Sequence, residues 1–136
     1  EYSQLVPVGP HFDVVRIAGL RGLDVANALR AAAGGTPGAI VHELYGREWV
    51  HILVSPGTVA GYRWPPGIRA LGQDAVRERC IEIPAFGDDS CLLAWHSRPV
   101  ESAPLVDTLL CHTVLIHELA DVLTPSDWTD RPDPRG

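Results

Sequence analysis

The chain has 136 residues, enough for one domain with one core, and 46% of them are hydrophobic, which excludes wholesale disorder. Acids outnumber bases 17 to 11, a net charge of −6, so a domain that clamps a nucleic acid by its phosphates is disfavoured. All 11 basic residues are Arg, which removes P-loop, Schiff-base and Ser-Lys chemistry outright, and no apolar run approaches a membrane span.

In chain order, residues 4–8 form a short apolar run closed by Gly9-Pro10. Residues 12–18, centred on Val14-Val15, read as a central strand. Residues 20–33 place Leu20, Leu23, Ala26, Leu29 and Ala33 near helical spacing, and Gly34-Gly35 stops the helix. Two strands follow at 39–44 and 48–54, joined by a tight hairpin at Tyr45-Gly46-Arg47. Residues 58–79 contain Pro65-Pro66-Gly67 and no clean period, and read as a long loop with one helical turn. Strands are expected at 80–83 and 91–96. Pro104 opens a second helix to Leu123, with Leu105, Leu109, Leu110, Leu115, Ile116, Leu119 and Leu123 as its apolar face. The expectation is an α+β domain over residues 1–123: one mixed or antiparallel sheet of five to six strands, with two main helices on one face. Residues 124–136 form a Pro- and Asp-rich tail, which Trp128 could dock onto the body.

The candidate chemistry is sparse. Cys80, Cys91 and Cys111 are odd in number and lack CxxC spacing, the pattern of a reduced, cytoplasmic protein with structural thiols, and no basic-then-apolar leader opens the chain. Among six histidines, His112 and His117 lie five apart, on diverging helix directions, so neither zinc nor another cofactor is expected. Ser55 lies in VSPG, not in a nucleophile elbow, and Asp88-Asp89 read as turn residues. Cys91 and His96 would point to opposite faces of their strand. The long loop mixes Tyr62, Arg63, Trp64, Arg69, Arg77 and Arg79, types that can hold a base and a phosphate. The alternative is a loop pinned by Trp64, its arginines offset by Asp74, Glu78 and Glu82.

Five segments, LVPVGPHFDVVRI, HILVSPGTV, WPPGIRALG, CIEIPAFG and LLAWHSRPV, together resemble the N-terminal domain of bifunctional DNA primase-polymerases, of the archaeo-eukaryotic primase type, in its shortened high-GC bacterial form. The resemblance covers roughly residues 4 to 110. It implies an Asp-x-Asp pair that holds two divalent ions for nucleotidyl transfer, but Arg16 and Ala18 stand at the matching place. It also implies a phosphate-side histidine at about Trp49, with His51 two residues on, and a later Ser-x-His element where Pro84-Ala85-Phe86 stands. The implied protein keeps the scaffold and lacks the reaction, and acts as a binding or regulatory module.

Within that likeness, strand alternation puts Arg16 on one face of its strand and Arg47, Trp49 and His51 on one face of theirs. If the two faces coincide, Arg16, Arg47 and His51 could hold a nucleotide or other small anion, with Trp49 as an apolar wall. The competing arrangement is Arg16 paired with Glu43 or Glu82. Two further readings stay open: an enzyme of different chemistry in the same cleft, and a structural subunit that binds a protein partner or a second copy of itself.

Overall fold

The computed structural model describes residues 3–72, 80–84 and 93–120. Its elements in order are β1 (Ser3–Pro7), β2 (Asp13–Ile17), α1 (Gly19–Ala32), β3 (Ile40–Glu43), β4 (Val50–Val54), a 3-10 turn (Val59–Gly61), β5 (Arg69–Leu71), β6 (Cys80–Pro84), β7 (Leu93–Ser97) and α2 (Thr108–Leu119). Five strands form one antiparallel sheet in the order β5-β2-β4-β3-β7. The fold is α+β, as the alternation of strand and helix patterns predicts.

β4 occupies the centre, and all five of its residues are buried. Burial on both faces explains why its sequence, VHILV, is a near-continuous apolar run rather than an alternating one. On one face, Val15, Ile17, Ile40, Val50, Ile52 and Val54 pack against Val25, Ala26 and Leu29 of α1 and Cys111, Leu115 and Leu119 of α2. On the other, Phe12, Val14, Val41, Leu53, Leu71 and Leu93 pack with Val8 and Ile81. That second core is closed by a separate two-stranded ribbon in which β1 pairs antiparallel with β6. The strand expected at residues 80–83 therefore exists but belongs to the ribbon, not the main sheet. Its partner is the first apolar run of the chain, whose pairing could not be read from local pattern.

α1 has its expected extent within one residue but buries a different face, and α2 starts four residues later than expected. Leu20 is 78% exposed, because the buried face of α1 runs through Gly22, Val25, Ala26 and Leu29. α1 ends as expected: Gly34 has φ 70°, and the Gly35 N–H returns to the Arg30 carbonyl at 2.7 Å. α2 begins at Thr108, after Pro104, with Asp107 as its N-cap accepting from the Leu110 N–H at 2.9 Å. Its buried face includes Cys111 and Val114, while Leu109 is 60% exposed. The long loop holds one short helical turn, as expected, and also β5, which was not. Pro65, Pro66 and Gly67 (φ 88°) form a turn closed by the Ile68 N–H on the Pro65 carbonyl at 3.2 Å, and this aims β5 back along β2. The expected tail, the loop residues Asp74, Arg77, Glu78 and Arg79, and Asp88, Asp89 and Cys91 lie outside the described residues.

No helix among the described residues is long and apolar enough to cross a membrane.

Candidate functional site

β2 lies between β5 and β4, and its Arg16 is directly opposite Arg69 on one side and His51 on the other. Directly paired residues of antiparallel strands point to the same face. Arg69, Arg16 and His51 therefore form a row across three strands, spanning roughly 10 Å at the usual strand spacing. The row lies on the sheet face opposite the helices. The same register carries it on through Val41 of β3 to Trp95 of β7.

Two further residues complete the cluster. Trp49 immediately precedes β4, and the Arg16 guanidinium carbon lies 4.5 Å from the centroid of its ring. Such stacking holds a guanidinium by the ring quadrupole and fixes its plane. Glu43, at the end of β3, accepts the His51 Nε2 hydrogen at 2.6 Å. His51 is 1% exposed, and its Nδ1 is buried without a hydrogen-bond partner. Burial pulls the Arg16 guanidinium below its ordinary value, while the negative charge of Glu43 and the hydroxyl of Tyr45 push it back up. A guanidinium remains charged at neutral pH under such a perturbation.

Arg16 and Arg69 sit directly opposite each other, a like-charge pair that is unfavourable across an antiparallel ladder. Glu43 acts on Arg16 and is also engaged by His51. Arg16 and Arg69 have further interactions in the structure, so neither is a bare charge. Of the two acids considered for pairing with Arg16, Glu43 acts on it electrostatically, and the side chain of Glu82 lies outside the described residues.

The predicted site residues separate into two groups. Arg16, Trp49, His51 and Arg69 come together on the sheet face opposite the helices. Arg47 is not on β4: Gly46 (φ 59°) and Glu48 (φ 54°) turn the chain, and Arg47 lies exposed in that turn. Its carbonyl accepts the Gly19 N–H at 3.1 Å and so ties the hairpin to the start of α1. Arg63 and Trp64 are on the helix side. The Trp64 indole donates to the Val59 carbonyl at 2.9 Å, and its ring lies 5.1 Å from His112, whose Nε2 hydrogen goes to the Arg63 carbonyl at 2.8 Å. Tyr62 stacks on the same pair, at 5.0 Å from His112 and 5.9 Å from Trp64. These bonds pin the loop to α2, which was the structural alternative for Trp64.

Asp13 was not singled out in the sequence, and Glu43 was considered there only as a partner of Arg16, not of His51. Asp13 is fully buried at the start of β2, where its Oδ2 accepts the Val59 N–H at 3.1 Å and positions the 3-10 turn. The signal available for both was an acid inside or at the end of an apolar strand. Among the described residues no group of three or more His, Cys, Asp or Glu side chains converges as a metal site. Cys111 is buried under α2, and burial together with the Asp107 charge pushes its thiol up to about 12, which keeps it unreactive.

No family model, curated protein or solved structure matches the chain.

Proposed function

We propose that this chain is a non-catalytic, primase-polymerase-like domain that binds a nucleotide or another small anion on the sheet face opposite the helices. The observation that carries this reading is the Arg69–Arg16–His51 row with Trp49 stacked on Arg16. In the family it resembles, the matching face holds metal ions between carboxylates. Here Arg16 stands on the corresponding strand, so the face repels Mg²⁺ and favours phosphate or carboxylate oxygens. Two arginines facing each other across a ladder lose their mutual repulsion when an anion sits between them. Regulation through a protein partner or a second copy of the chain is compatible with this role, and a cytoplasmic location remains part of the proposal.

Calorimetric titration with inorganic phosphate and nucleoside triphosphates, without divalent metal, tests the reading. Saturable binding that Arg16→Ala and Arg69→Ala each weaken by at least about tenfold, the scale of one charge-assisted hydrogen bond, is the expected result. Absence of binding to the wild-type protein, together with marked destabilisation by Arg16→Ala, would leave Arg16 as a purely structural residue and overturn the proposal.

A second reading, an enzyme of different chemistry on the same face, draws on the His51–Glu43 hydrogen bond. A carboxylate that orients an imidazole is the usual support of a general base. His51 is buried, however, and its Nδ1 has no solvent exposure through which to exchange a proton. The binding reading is therefore the stronger of the two.

A further inference from the structure

A second basic cluster lies outside the site described above. A cleft of about 270 Å³ opens between the C-terminal end of α1 and the edge strand β7. Arg30, Thr36, His96, Ser97 and Arg98 supply its polar lining, and Gly35, Trp95 and Val100 complete it. No carboxylate is among these residues. We propose that this cleft is an anion site that takes the phosphate group of a small phosphorylated molecule.

Three arguments support it. First, the guanidiniums come from two separate elements: Arg30 from the last turn of α1 and Arg98 from just after β7. Arg30 already reaches across the cleft, where its Nη1 donates to the His96 carbonyl at 3.4 Å. That long bond leaves most of the guanidinium fork available, and a fork fits a phosphate bidentately. Arg98 is exposed at the rim and has interactions of its own. Second, the size is selective. The cleft lies just under the roughly 300–1,000 Å³ of pockets for drug-sized ligands, which suits a phosphate with a small organic body. Third, the opposing field is weak. The C-terminus of a helix carries roughly half a negative charge, which disfavours an anion. Here the Gly34 and Gly35 N–H groups already satisfy the Ala31 and Arg30 carbonyls, at 3.4 and 2.7 Å, and the Arg30 guanidinium stands against the remainder.

The cleft shares Trp95 with the far end of the register row but none of its charged residues. β7 is the third strand from β2, a separation of roughly 14 Å, and α1 covers the opposite side of the sheet.

His96 provides a local readout. Its Nε2 is 3.0 Å from Asn27 Oδ1, and its Nδ1 is buried without a partner. Burial, then the positive charge of Arg30 and then His42, hold its pKa below the usual histidine value. An anion beside Arg30 offsets that charge and raises the pKa of His96. The test is an NMR titration of the histidine ring protons with inorganic phosphate and with a nucleoside monophosphate, with acetate as the carboxylate control. Saturable shifts at His96 and a higher His96 pKa in the bound form are expected. Arg30→Ala and Arg98→Ala should each weaken binding at least about tenfold, and Arg16→Ala should leave the His96 response intact. Both variants replace exposed side chains, and an unchanged far-UV dichroism spectrum verifies the fold. No saturable shift at His96, or a shift that survives both substitutions, would overturn the site. Acetate binding as tightly as phosphate would overturn the phosphate assignment.

Discussion

His51 is an imidazole at the centre of the most buried strand, flanked by Val50 and Ile52, which are fully buried. A polar ring at that depth is tolerated only with a partner, and Glu43 is that partner through its 2.6 Å hydrogen bond. The same carboxylate opposes the desolvation of Arg16. One side chain thus supports two members of the candidate site. Glu43→Ala leaves both imidazole nitrogens unpartnered and should destabilise the protein by about 1–3 kcal/mol. Glu43→Gln, whose amide oxygen can still accept, should cost clearly less. Urea denaturation at neutral pH measures both, and equal midpoints for Glu43→Ala and wild type would refute this account. Glu43 could be noticed in the sequence as an acid closing an apolar strand. Its pairing with His51 could not, because the seven residues between them include the turn that decides which side chains meet.

At the scale of elements, α1 reaches unusually close to the sheet, and Gly22 is the reason. A Cβ at Gly22 would lie 2.7 Å from the Ile17 carbonyl oxygen and 2.8 Å from Val50 Cγ2. Glycine weakens a helix interior by up to about 1 kcal/mol relative to alanine. The clash with fixed backbone outweighs that gain, as overpacking of a tight interface costs about 1–3 kcal/mol. Gly22→Ala should therefore lower the urea midpoint despite its better helix propensity, whereas a rise would show that α1 can move off the sheet at little cost. The helices were legible because Leu29, Leu115 and Leu119 recur at helical spacing, but the phase of each was not. Leu20 and Leu109 fit the pattern and still face outward. β5 escaped notice because three residues are too short to show a period, and its pairing with β2 depends on the turn at Gly67.

The whole molecule is a sheet with two different faces. Helices seal one; a two-stranded ribbon and the arginine row occupy the other. On the proposed primase-polymerase-like reading, Arg16 and Ala18 stand where metal-binding carboxylates would, and the face has no described means of holding two divalent ions. No template-dependent primer synthesis or extension is expected with Mg²⁺ or Mn²⁺. A radiolabelled extension assay checks this, and incorporation that disappears with Arg16→Ala would refute it. The net charge of −6 makes the local concentration of arginine on this face more informative, because it runs against the average of the chain.

The sequence by itself determined the class of fold and most of its elements. Val14-Val15 and the run from Val50 to Val54 demand burial on both sides, and Gly34-Gly35 and Pro65-Pro66-Gly67 punctuate the chain wherever it turns. Alternation along a strand, a local property, also put Trp49 and His51 on one face of theirs; that Arg16 shares this face follows from the register of β2 on β4. Register is not local. Only the tertiary structure decided that Arg69 is paired with Arg16, that Glu43 binds His51, that Arg47 belongs to a turn and Trp64 to the helix side, and that Arg30 meets His96 across 66 residues of chain. Each of those pairings is set by which strands and helices become neighbours. That choice is made by the burial of whole apolar faces against one another, and it leaves no trace in the spacing of the polar residues carried along with them.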